Sequence, residues 1–166
     1  MPREGQPWKT SDASYLAGFL DGDGSIHFQF VKQKEYRFGF YIRSSMSLTQ
    51  STSARWGLEY LQELIGGGYL RDRGTGMSDL VVTSRPLLCQ TLLQVAPYVV
   101  FKREHVHRAL WLLPQLKKRM SVEEFLEVAR QVDAFASLNY SKKKRYSFCL
   151  TNWKWILPSP SRNPAR

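Results

Sequence analysis

Cysteine is scarce in this chain. Cys89 and Cys149 lie far apart and neither sits in a C-x-x-C, so the spacing excludes a disulfide framework and a cysteine zinc site. Two reduced, mostly buried thiols of an intracellular protein are the expectation. Long apolar runs are also missing: none approaches the roughly 18 residues a membrane span needs. The opening stretch MPREGQPWKTSD lacks the apolar centre of a secretory leader, and no targeting peptide is visible. Acidic residues are outnumbered, 14 Asp and Glu against 24 Lys and Arg, for a net charge of +10 and a pI near 9.8. That balance favours a polyanionic partner. No strongly amphipathic basic helix has the composition of a membrane-surface anchor, so nucleic acid leads and no membrane partner is expected.

What is present suits a single packed unit. Hydrophobic residues make up 43% and aromatics 13% of 166 residues. One domain over residues 1–156 is the expectation. The last ten residues, LPSPSRNPAR (157–166), are Pro- and Ser-rich and read as a disordered basic tail. Residues 146–156, YSFCLTNWKWI, carry no assignable pattern.

Periodicity gives an α+β order. A helix is expected over about Asp12 to Asp21, with Thr10 or Ser11 as N-cap and Leu16, Phe19 and Leu20 as its stripe. Two alternating strands follow. In the first, Ile26, Phe28 and Phe30 share one face and His27, Gln29, Val31 and Gln33 the other. In the second, Phe40, Ile42, Met46 and Leu48 oppose Tyr41, Arg43, Ser45 and Ser47. A helix over about Ser53 to Ile65 would bury Trp56, Tyr60, Leu61, Leu64 and Ile65, then stop at Gly66. YLRDRG and DLVVTS read as a hairpin around Gly74–Gly76. Three further helices start near Pro86, Lys102 and Ser121, the last with a capping box to Glu124.

The stretch YLAGFLDGDGSI, Tyr15 to Ile26, carries the chemistry. Gly18 interrupts an apolar helix at a cost of about 1 kcal/mol relative to Ala. Ala17, Gly18 and Gly22 are small, which would let another backbone come close, either the protein's own or that of a second copy. Asp21 and Asp23 fall at the negative end of the helix dipole, where a carboxylate needs a compensating cation. A basic side chain or a divalent metal would serve. An ordinary helix end, with Asp and Gly serving only turn geometry, is the competing reading. A calcium loop is excluded: counted from Asp21, its sixth and twelfth positions are Ile26 and Lys32. The stretch occurs once, and the chain has no internal repeat.

YLAGFLDGDGSI resembles the signature of the LAGLIDADG homing endonucleases, in particular the single-motif group of organellar introns. SLTQ (Ser47–Gln50), GYLRDRG (Gly68–Gly74) and FLEVARQVDAFASLNYSK (Phe125–Lys142) match that group in order and spacing, so the resemblance spans about residues 13 to 145. It implies the αββαββα fold, with a saddle-shaped antiparallel sheet on DNA and additional C-terminal helices. It implies a site-specific endonuclease that makes a staggered double-strand break in a long pseudo-palindromic target and so promotes intron homing. An intracellular, organellar setting in chloroplast or mitochondrion goes with it.

The resemblance also assigns residues. With one motif per chain it implies a homodimer, with Ala17, Gly18, Asp21 and Gly22 at the interface. It implies Asp23 and the Gly22 carbonyl as ligands of Mg²⁺, with Mn²⁺ substituting and Ca²⁺ binding without supporting cleavage, and no small-molecule cofactor. Asp23, Gln50 and Lys102 take the catalytic positions. The family often carries a basic residue where this chain has Ala54; Arg55 is the candidate substitute. The sheet face that meets double-stranded DNA would present His27, Gln29, Gln33, Tyr36, Tyr41, Arg43, Ser45, Ser47, Arg71, Arg73 and Asp79, with Lys142 and Lys144 on phosphates. His105 and His107 do not share a helix face and are not expected to bind metal. Two other readings stand beside the nuclease: an intron RNA maturase acting as splicing cofactor, and a DNA-binding module without cleavage.

Overall fold

A computed structural model of the chain describes residues 8–139. Lys142, Lys144, Cys149, residues 146–156 and the tail at 157–166 lie outside the described residues. The order is α1 (Thr10–Asp23), β1 (Gly24–Lys32), β2 (Phe40–Ser51), α2 (Arg55–Ile65), β3 (Tyr69–Asp72), β4 (Met77–Val82), α3 (Arg85–Val95), α4 (Arg103–Leu112) and α5 (Val122–Ala136). The four strands form one antiparallel sheet in the order β1-β2-β4-β3.

One face of that sheet makes the core. Ile26, Phe28, Ile42, Met46, Leu48, Leu80 and Val82 meet Leu16 and Leu20 of α1, Leu58 and Leu61 of α2, and Leu88 and Leu92 of α3. Phe135 packs edge-on against Phe28, with ring centroids 4.8 Å apart, and Phe125 stacks on Phe38 at 4.4 Å. Each such side chain contributes about 1.5–3 kcal/mol when fully buried. With the helices on one side, the odd-numbered residues of β1 and β2 are left on the open face, which the alternation predicts.

Local signals set most boundaries. Gly66 adopts φ 82°, the left-handed conformation that ends α2. Ser121 and Glu124 form both halves of the capping box that opens α5. Neither Thr10 nor Ser11 is the N-cap of α1; that position is Lys9, with no side-chain cap bond. Two further expectations need correction. First, α1 runs two residues further than its pattern implies and passes directly into β1, without an intervening glycine turn. Gly24 makes that junction: a Cβ there would lie 2.7 Å from both the Cα and the carbonyl oxygen of Leu20. Second, Trp56 and Tyr60 are exposed rather than in the core. Leu58, Leu61, Leu64 and Ile65 fill the i, i+3, i+6, i+7 stripe of α2, and the two aromatics fall outside it.

Candidate active site and nucleic-acid interface

The end of α1 brings two carboxylates into one turn and gives them different surroundings. Asp23 is exposed, and its carboxylate has no hydrogen bond or ion pair among the described residues. Gly22 beside it is exposed too, and an added Cβ would meet nothing within 4 Å. Asp21 is turned inward. The N–H groups of Val100 and Phe101 donate to its Oδ2 at 2.6 and 3.1 Å, and the Lys102 N–H donates to Oδ1 at 2.8 Å. Lys102 Nζ then donates to the Asp21 carbonyl oxygen at 2.6 Å. Burial pushes the Lys102 ammonium below its usual range, while the charges of Asp21 and Asp23 pull it back up.

Register places Gln50 at the same end. Gly24 pairs with Leu48, so Gln50 extends past the β1 pairing toward Gly22 while remaining paired with Ser78 of β4. Its Oε1 accepts the Ser51 N–H at 2.8 Å. The structure therefore brings Asp23, Gly22, Gln50 and Lys102 to one rim of the sheet. Arg55 is committed elsewhere: it donates to Asp72 at 2.6 Å and to Glu59 at 3.2 Å. It is therefore not a free stand-in for the basic residue absent at Ala54.

The exposed Asp23 carboxylate and the Gly22 carbonyl in the last turn of α1 are hard oxygen donors of the kind a divalent cation prefers. Among the described residues no cluster of three or more His, Cys, Asp or Glu side chains could hold a metal.

The open face carries the polar residues expected of it. Gln29 accepts from Arg43 at 3.0 Å, Tyr36 stacks on Tyr41 at 5.3 Å, and Ser25 bridges His27 and Ser47 at 3.0 and 2.8 Å. Burial, with some help from the charge of His105, lowers the pKa of His27. Gln33 is exposed at the end of β1. The second hairpin is organised by Asp79. Its carboxylate is fully buried and accepts from Arg71, Arg73 and Thr49. Burial alone would raise its pKa, but these hydrogen bonds outweigh burial and bring it down to about 2. The expectation that Asp79 itself touches DNA does not survive its burial beneath the two arginines; Arg71 and Arg73 are the exposed groups. Thr49 escaped sequence reasoning although continued alternation along β2 pointed to it.

The four small or acidic residues expected at a partner interface divide. Ala17 is fully buried in the chain's own core, so it does not face a partner. The Asp21 carboxylate is occupied within the chain. Gly18 and Gly22 lie open on one helix face, in line with exposed Tyr15. Trp56 (73% exposed), Val100 (66%) and Phe101 (84%) are exposed too, and Tyr60, one turn on from Trp56, touches Tyr15 at 6.2 Å between ring centroids. These aromatics were missed because helix periodicity assigned Trp56 and Tyr60 inward and left VVF (Val99–Phe101) unassigned.

Comparisons with known proteins agree with this layout. Residues 16–98 match the family model described as LAGLIDADG endonuclease. The chain is 39% identical over 132 residues to the DNA endonuclease I-CreI of Chlamydomonas reinhardtii, covering 79% of this chain and 80% of that one. It is 31% identical over 131 residues to the DNA endonuclease I-CvuI of Chlorella vulgaris, covering 79% and 81%. A crystal structure of the homing endonuclease I-CvuI with the I-CreI target, in the presence of Mg and with the DNA not cleaved, superposes with a TM-score of 0.77. The two are 30% identical, over 82% of this chain and 88% of that one. By sequence, fold and the placement of its signature helix, the chain belongs to the LAGLIDADG endonuclease family.

Proposed function

We propose that this protein is a site-specific homing endonuclease that cuts both strands of a long pseudo-palindromic DNA duplex, with staggered ends, as a homodimer. The observation that carries the reading is the free Asp23 carboxylate at the end of α1, beside the Gly22 carbonyl and the anchored Lys102. Asp23 and the Gly22 carbonyl would hold the divalent ion. When bound, Mg²⁺ supplies activation of water and neutralisation of charge on the phosphate and leaving oxygen. Mn²⁺ substitutes, and Ca²⁺ supports binding without cleavage.

The chain's own groups do the rest. Gln50 orients water at the rim through its amide. Lys102 places its ammonium where negative charge builds up on the scissile phosphate. On the open face, Gln29, Arg43, Arg71 and Arg73 read base edges in the major groove, with His27, Gln33, Tyr36, Tyr41, Ser45 and Ser47 completing the contact. Lys142 and Lys144 clamp phosphates. Gly18 and Gly22, flanked by Tyr15, Trp56 and Phe101, meet the same face of a second copy, so that the two Asp23 carboxylates share the site. The gene sits in an organellar intron. A maturase would leave the free carboxylate at Asp23 without a role.

The test uses a labelled duplex carrying the intron-free insertion site. With Mg²⁺ the wild type should make a staggered double-strand break; with EDTA or Ca²⁺ it should bind without cutting. Asp23→Asn should abolish cutting while binding stays largely intact. Cutting at the wild-type rate by Asp23→Asn would sink the mechanism.

A further inference from the structure

The two carboxylates at the end of α1 point to different work. Asp23 is free, whereas Asp21 spends both oxygens on three consecutive N–H groups at Val100, Phe101 and Lys102. Val100 and Phe101 lie in the strap just ahead of α4, and Lys102 is the N-cap of that helix. Their three N–H donors meet Asp21 at the negative end of α1, which is what makes a carboxylate tolerable at a helix C-terminus. Lys102 is held at two points by this one residue. Its main-chain N–H goes to the carboxylate, and its Nζ goes to the carbonyl oxygen at 2.6 Å.

We propose that Asp21 is a positioning residue that fixes the Val100–Lys102 strap against the end of α1 and through it sets the Lys102 ammonium beside Asp23. This rests on the catalytic role proposed for Lys102. The same strap leaves the side chains of Val100 and Phe101 exposed. Both Asp21 oxygens accept, so asparagine, with a single acceptor oxygen, cannot satisfy all three donors.

The experiment is a double-mutant cycle on single-turnover cleavage, using Asp21→Asn, Lys102→Met and the pair, with Mg²⁺ and the duplex above at saturation. Each single change should slow cleavage by roughly 10- to 100-fold, the scale of a misplaced or missing catalytic group. Binding measured in Ca²⁺ should change by less than about threefold, since neither group lies on the base-reading face. If Asp21 acts through Lys102, the pair should be as slow as Lys102→Met alone. A pair whose defect is the product of the two singles overturns the proposal. Cleavage at full rate by Lys102→Met removes instead the catalytic role of Lys102. Should Asp21→Asn not fold, hydrogen exchange on the wild-type protein decides. The amides of Val100, Phe101 and Lys102 should be protected; exchange at free-peptide rates overturns the proposal.

Discussion

Arg73 clasps Asp79 with two nitrogens, Nη2 on Oδ1 at 2.5 Å and Nε on Oδ2 at 2.7 Å. The carboxylate is wholly buried while the guanidinium stays 43% exposed. A second arginine, Arg71, donates to the same Oδ2 at 2.7 Å. Asp79 therefore holds two donors out on the open face with their rotamers already chosen, which lowers the entropy lost on binding. Asp79→Asn leaves both arginines in place but unfixed. Target affinity should drop by about tenfold, with relaxed selection at the base pairs these arginines meet, since a bidentate base contact discriminates by ~1–3 kcal/mol. Binding-site selection on a randomised duplex checks this. An unchanged preference profile would count against the role of Asp79.

The same carboxylate makes stability depend on acid. Asp79 titrates near 2 in the folded chain against an ordinary 3.8. The folded state therefore binds fewer protons than the unfolded state in that window. The contribution is fully present above about pH 4 and is lost as pH falls toward 2. It amounts to about 1–2 kcal/mol once solvent screening of the half-exposed arginines is allowed for. Urea denaturation at stepped pH should show a steeper fall between pH 4 and 2 in the wild type than in Asp79→Asn. Parallel slopes would exclude Asp79 as the group responsible.

Two glycines of the signature stretch, Gly18 in α1 and Gly24 at the start of β1, should respond in opposite ways. Alanine at Gly24 drives a Cβ into the Leu20 backbone and should cost about 1–3 kcal/mol while displacing Asp23. Alanine at Gly18 meets nothing within the chain, and in a helix it should stabilise the monomer by up to ~1 kcal/mol. In the proposed dimer its added methyl would obstruct the second copy. Thermal melts at low concentration and sedimentation at rising concentration separate the effects. Gly18→Ala should melt no lower yet self-associate more weakly; a lower melting temperature for the isolated chain would contradict the open placement of Gly18.

How much of this was legible beforehand follows from what each signal measures. Alternation in β1 and β2 identified the open face, because side chains on a strand alternate strictly between the two sides. It could not show that Asp79 lies beneath Arg71 and Arg73. Burial by long neighbouring side chains depends on the pairing Arg71–Asp79 across β3 and β4, not on parity. The small residues of α1 were read as one contact surface, yet Ala17 lies in the core and Gly18 outside it, a split decided by how α1 seats on the sheet. The capping box at Ser121 was readable in full because both its partners are local. The bond from Asp21 to the 100–102 strap joins residues about eighty positions apart, and no local pattern encodes it.

Trp56 and Phe101 give the most direct test of the partner surface. Both are large and strongly exposed; Trp56 lies one turn before Tyr60, which touches Tyr15, and the Phe101 N–H is bound to Asp21 of the same helix. Such residues anchor interfaces when buried together, and truncating one commonly costs 2 kcal/mol or more. Neither contributes to the core, so Trp56→Glu with Phe101→Glu should leave the melting temperature of the isolated chain within about 2 °C, as surface substitutions do. A like-charged pair on each copy should still hold the copies apart. Sedimentation should then give a monomer. On the target duplex that monomer should make no double-strand break, because each copy brings a single Asp23. If the doubly substituted protein remains dimeric and cuts both strands, the second copy docks elsewhere.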